Sequence, residues 1–144
     1  INYENIVDAL VEFEKAVLSI DSPFDEYLAG NDDSINAEAK KGFELFNKVG
    51  CVACHNGRNL GGNLMQNVGL KDASESRRLM RVPSLRNVTR TAPYLISGEM
   101  SDLKEVIGFV SYHQLIHTLN SEEIGQIYKF LLTLNGRRPR ILNE

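Results

Sequence analysis

Cys51, Val52, Ala53, Cys54 and His55 stand in a row as C-x-x-C-H, and the chain holds no other cysteine. Two thiols two residues apart at a helical turn reach the two vinyl groups of one haem, and the adjacent imidazole then lies under the iron. A redox dithiol would need a thioredoxin-like βαβ setting, whereas the flanks here read as helix. A zinc site would need two more ligands, and His113 and His117 are the histidines left to supply them. One covalent haem c is therefore the expected cofactor, with Cys51 and Cys54 as its attachment points and His55 as proximal iron ligand. Covalent haem is assembled outside the cytoplasm, so the expected location is periplasmic or extracytoplasmic, with any signal peptide removed ahead of Ile1.

The surrounding sequence suits a chain wrapped around such a group. From Asn56 to about Gly98 it carries Gly57, Gly61, Gly62, Gly69 and two prolines, with no sustained period of 2 or 3.6. Long stretches without secondary structure are uncommon in compact domains unless they serve a function. Helical periodicity brackets it. Ile6, Leu10, Phe13, Val17 and Ile20 line one face of a helix over roughly Tyr3 to Ser19, ended by Pro23. Asn36 caps a second helix with Ala39, Phe43 and Phe46 on its inner side and Gly50 as its stop. A third begins at Ser101 or Asp102 and carries Leu103, Val106, Ile107 and Val110. The last is capped by Ser121, places Glu122 and Glu123 against the helix dipole, buries Ile124, Ile127, Tyr128, Leu131 and Leu134, and stops at Gly136. No strand alternation competes.

The expected class is all-α, with cytochrome c-like helices and long loops around one haem. A length of 144 residues and 42% hydrophobic content suit a single domain over 1-144. Within it, 1-35 form an N-terminal helix and turn-rich extension, 36-136 the haem-binding core, and 137-144 a basic tail. A net charge of -3 argues against nucleic acid as a partner, and no apolar run is long enough to span a membrane. Charge is uneven: residues 1-36 hold nine acids against Lys15, and residues 71-90 hold six bases against two acids. Such an asymmetry can orient a charged partner, or be a solvated acidic helix beside an unrelated basic loop.

Several segments together resemble a known family. They are Asp21-Ser22-Pro23-Phe24-Asp25-Glu26-Tyr27-Leu28-Ala29-Gly30, Gly42-Phe43-Glu44-Leu45-Phe46, His55-Asn56-Gly57 with Asn59-Leu60-Gly61-Gly62, and Val82-Pro83-Ser84-Leu85-Arg86-Asn87-Val88 leading into Thr91-Ala92-Pro93-Tyr94. The combination looks like the C-terminal, high-potential haem domain of bacterial dihaem cytochrome c peroxidases. That resemblance implies electron uptake from a donor cytochrome and delivery to a peroxidatic haem domain that this stretch of chain does not include. It also implies a calcium ion held in part by the carbonyls of Thr91 and Pro93. Arg81 and Arg86 are candidate partners of haem propionates, and Tyr94 is a candidate haem contact. A homodimer is a further candidate state.

The chain departs from the resemblance at the iron's second axial position. The family's methionine falls on Val110, nineteen residues after Thr91, and valine cannot bind iron. Met100 is the leading substitute and His113 the second, followed by His117, Met65 and Met80; an open site is the remaining option. The expected function is one-electron transfer by a monohaem c-type cytochrome. The alternatives are a peroxide-reducing enzyme, for which Glu99, Glu105 and His113 are the candidate acid-base groups, and a haem-based redox or gas sensor.

Overall fold

The computed structural model describes residues 2-67 and 79-142. Gly69, Lys71, Arg77 and Arg78, part of the glycine-rich and basic stretch, lie outside the described residues. Those described form five α-helices, α1 (Tyr3–Ala16), α2 (Pro23–Leu28), α3 (Ala37–Val49), α4 (Leu103–Leu115) and α5 (Ser121–Leu132), with a hairpin of β1 (Met65–Asn67) and β2 (Leu79–Arg81). The fold is mainly helical, as the periodicity predicts. The hairpin corrects the expectation of no strands: its antiparallel register pairs Met65 with Arg81, Gln66 with Met80 and Asn67 with Leu79. Three residues a side are too few to show an alternation in sequence.

Helix boundaries follow side-chain caps. Asn36 accepts from the Ala39 amide at 2.8 Å and starts α3. Gly50, at φ 101°, ends it in the left-handed conformation that a side chain rarely adopts. Pro23 does more than separate elements. It is the first residue of α2, behind a capping box in which the Ser22 amide and hydroxyl donate to Asp25 Oδ2 at 3.0 and 2.7 Å. α1 stops at Ala16, short of the expected Ser19. Of the two candidates for the α4 cap, Asp102 is the one used, and α5 is capped by Asn120 rather than Ser121. The Asn120 carboxamide accepts from the amides of Glu122 and Glu123 at 2.9 and 3.0 Å, a reach that Ser121 does not have from inside the first turn.

The core sits between α3 and α5. Phe130, fully buried, holds its ring 5.0 Å from Phe24 and 5.2 Å from both Phe43 and Phe46. Gly42 lies directly against the Gln126 carbonyl, so a side chain there would collide with the backbone of α5. Ile127 and Leu131 complete the packed face of α5, as its spacing predicts, and Leu134, two residues beyond the helix end, is buried in the same core. Gly136 is not the helix stop: α5 ends at Leu132, and Gly136 lets the chain pass against the backbone of Ser19 and Ile20. The amide of Arg137 then donates to the Ile20 carbonyl at 2.9 Å. By contrast, α1 buries no residue, and Ile6, Leu10 and Phe13 are each at least half exposed.

Candidate haem-attachment site

The left-handed turn at Gly50 takes the chain out of α3 into a 3-10 turn over Cys51–Ala53. The Cys51 carbonyl accepts from the amides of Cys54 and His55 at 3.3 and 3.0 Å, which wraps both thiols and the imidazole around a single turn. Both cysteines are unbonded and half-buried. Burial pushes the Cys51 thiol up to about 11, so it stays protonated at neutral pH. His55 is also half-buried, which pushes its imidazole below its ordinary value; the Leu60 and Pro83 carbonyls act more weakly in the opposite sense.

Imidazole Nδ1 of His55 lies 3.2 Å from the Leu60 carbonyl. With the proton on Nδ1 and donated to that oxygen, Nε2 keeps a lone pair for a metal. This is the arrangement that fixes tautomer and ring orientation in metal-bound histidines. Leu60 is held in place locally. Its amide donates to the Gly57 carbonyl at 3.0 Å, the Gly61 amide donates to Asn56 at 3.0 Å, and the Asn56 carboxamide donates to the Val52 and Ala53 carbonyls at 3.2 Å. Sequence reasoning missed both Asn56 and Leu60 as supports. Leu60 acts through its carbonyl, which leaves no mark in sequence, whereas a carboxamide directly after the histidine was a readable signal.

Both arginines suggested as propionate partners donate within the protein. Arg81 Nη1 donates to the Gly62 carbonyl at 2.7 Å. Arg86 spans from the Arg58 carbonyl, taken by its Nε at 2.9 Å, to the Asp25 carboxylate, taken by both terminal nitrogens. Tyr94 and Met100 form an isolated bridge in which the Tyr94 amide donates to the Met100 carbonyl at 2.6 Å, and both residues are half-buried. Thr91 and Pro93 are exposed, and the Thr91 hydroxyl donates to the Val88 carbonyl. Among the described residues no group of three or more His, Cys, Asp or Glu stands ready for a metal ion. Glu99, Glu105 and His117 are exposed, Met65 and Met80 belong to the hairpin, and Val110 is half-buried on α4. His113, also on α4, sits against the rings of Phe109 and Tyr112 at 4.3 and 5.0 Å, and its Nδ1 is buried without a hydrogen-bond partner among the described residues.

The sequence is 37% identical over 152 residues to cytochrome c peroxidase Ccp of Escherichia coli K12, covering 92% of this chain and 33% of that protein. It is 35% identical over 160 residues to the cytochrome c551 peroxidase of Pseudomonas aeruginosa, covering 98% of this chain and 46% of that one. This chain belongs to the bacterial cytochrome c peroxidase family. No family model matches it. Among solved structures, a MauG-like protein associated with microbial copper homeostasis superposes with a TM-score of 0.79 at 25% identity, over 95% of this chain and 58% of that one. The present member of the cytochrome c peroxidase family thus spans between a third and a half of the length of the curated relatives it matches.

The donor set of this family member fits a c-type haem. Two free thiols on one turn suit thioether formation. Beside them is an imidazole that is neutral at pH 7 and oriented by a carbonyl, leaving one nitrogen for iron.

Proposed function

We propose that the chain is a one-electron carrier holding a single haem c, working outside the cytoplasm as the electron-entry part of a peroxidase-type system. Its partner is a redox protein, either a donor cytochrome or a peroxidatic haem domain. A bound haem supplies reversible one-electron uptake at its iron.

Every other element of the mechanism belongs to the chain. The Cys51 and Cys54 thiols would hold the haem by adding S–H across its two vinyl groups, each addition exchanging an S–H bond and a C=C π bond for one C–S and one C–H bond with no external oxidant or reductant. His55 would hold the iron through Nε2, the ring nitrogen left free by the Leu60 carbonyl. The Leu60 carbonyl, by accepting from Nδ1, orients the ring and makes Nε2 a stronger donor, which would favour the oxidised state of an iron held there. Asn56 and Arg86 keep the loop from Asn56 to Gly62 rigid, so that gain or loss of an electron meets little structural rearrangement. One-electron exchange needs only a small, weak docking area for the partner.

The observation that carries this reading is the His55–Leu60 hydrogen bond beside two free thiols. The test is expression in a host that matures c-type haem, followed by haem quantification and redox titration. The reading requires one haem per chain retained after acid extraction, a single one-electron wave, and no turnover of peroxide with an artificial donor. A high-spin protein that reduces peroxide catalytically would make the chain an enzyme instead.

A further inference from the structure

His113 Nδ1 is the one buried side-chain polar atom without a hydrogen-bond partner among the described residues. An orphaned buried nitrogen is costly, and native structures retain one where something outside the chain completes it. The surroundings of His113 are built to hold the ring still. Phe109 and Tyr112 flank it, with ring centroids 4.3 and 5.0 Å away. The buried Ser111 hydroxyl donates to the His117 carbonyl at 2.7 Å, while the His117 amide donates to the Ser111 carbonyl at 3.1 Å. This reciprocal pair closes the last turn of α4 around His113. It also forces Ile116 to φ 55°, a left-handed conformation unfavourable for a β-branched residue, with its side chain 85% exposed. That turn lies beside the attachment motif: Leu115 Cδ2 is 4.0 Å from the point where Gly50, the residue before Cys51, would carry a Cβ.

We propose that the imidazole of His113 is the second axial ligand of the iron, making the centre bis-histidine. Met100, the leading candidate by sequence, shows no comparable unmet demand; His117 is exposed, and Met65 and Met80 lie in β1 and β2. The backbone carbonyl of Met100 is taken by Tyr94, its side chain is half-buried, and a thioether sulfur is a weak acceptor that loses little without a partner. A neutral imidazole, by contrast, brings a nitrogen lone pair that iron takes up directly.

The inference rests on the haem reading above, and the test separates the two. Haem content is first measured on the full chain by pyridine haemochrome; absence of covalent haem overturns the haem reading and this proposal with it. With haem present, the ferric protein is examined by electron paramagnetic resonance and near-infrared magnetic circular dichroism. A low-spin bis-histidine signature supports the proposal. A methionine–iron charge-transfer band, or a high-spin ferric state in the unmodified protein, overturns it. His113→Ala is expected to convert the centre to high spin and to open it to carbon monoxide, while Met100→Ala leaves the spectrum unchanged; the reverse pattern overturns the assignment. Because His113→Ala also removes a ring from a packed turn, His113→Met serves as the second variant. It is expected to stay low-spin, gain the methionine band and raise the midpoint potential.

Discussion

Arg86 donates both terminal nitrogens to the Asp25 carboxylate, at 2.9 and 2.7 Å, across 61 positions of sequence. Its Nε simultaneously holds the Arg58 carbonyl, so one side chain staples the loop after the attachment motif to α2. The pair is largely shielded, with side-chain exposures of 16% for Arg86 and 30% for Asp25.

Arg86→Ala is therefore expected to destabilise the protein by about 2 kcal/mol, because it removes a bidentate pair and leaves a half-buried carboxylate uncompensated. Denaturant titration of the haem-loaded protein, with a double-mutant cycle through Asp25→Asn, checks it. A coupling energy near zero would mean that the staple contributes nothing.

The same pair sets an acid limit. Its hydrogen bond to Arg86 is the main reason that the Asp25 carboxyl is lowered from 3.8 to about 2. Its folded-state pKa lies below the unfolded one, so the stabilisation is present above pH 4 and is lost as pH falls towards 2. After allowance for partial exposure this amounts to about 1 to 2 kcal/mol. Stability measured between pH 5 and pH 2 should fall more steeply in the parent than in Asp25→Asn.

Gly42→Ala places a Cβ onto the Gln126 carbonyl at the α3–α5 contact. Backbone meets backbone there, and neither helix can yield without moving Phe130. The expected loss is about 3 kcal/mol, read as a lower unfolding midpoint.

Removing residues 1-17 should cost less than about 0.5 kcal/mol, since α1 buries no residue and the core is built from α2 onward. Amide exchange is expected to show α1 opening far more readily than α3 or α5.

Cys51→Ala and Cys54→Ala are each expected to leave one thioether, visible as a shifted haemochrome band with the haem mass still on the chain. The double variant should lose all covalent haem. Retention of covalent haem in the double variant would refute attachment through this motif.

Periodicity made α3, α4 and α5 legible, because each carries an apolar stripe at 3.6 residues per turn; α3 and α5 bury theirs, whereas α4 buries Leu103 and leaves Val106, Ile107 and Val110 half-buried. The same rule located α1 but said nothing of its burial, since an amphipathic stripe records what a helix is able to pack against and not whether a partner is present. α2 was hidden because six residues are too few for a pattern; the helix is specified by the Ser22 capping box and Pro23. Arg86 looked available for an external anion, and Asp25, its partner 61 residues away, is not a neighbour in any sequence window.

Taken alone, the sequence determined the helical class and the grouping of two thiols and an imidazole within five residues, because C-x-x-C-H is a local motif. Only the tertiary structure decided which nitrogen of His55 is free, since that choice is made by the Leu60 carbonyl arriving through a loop. It likewise decided that Arg86 serves the fold, and that His113 carries a buried nitrogen with no hydrogen-bond partner among the described residues. Local chemistry can be read from adjacent residues, whereas hydrogen-bond satisfaction depends on which distant groups the folded chain brings together.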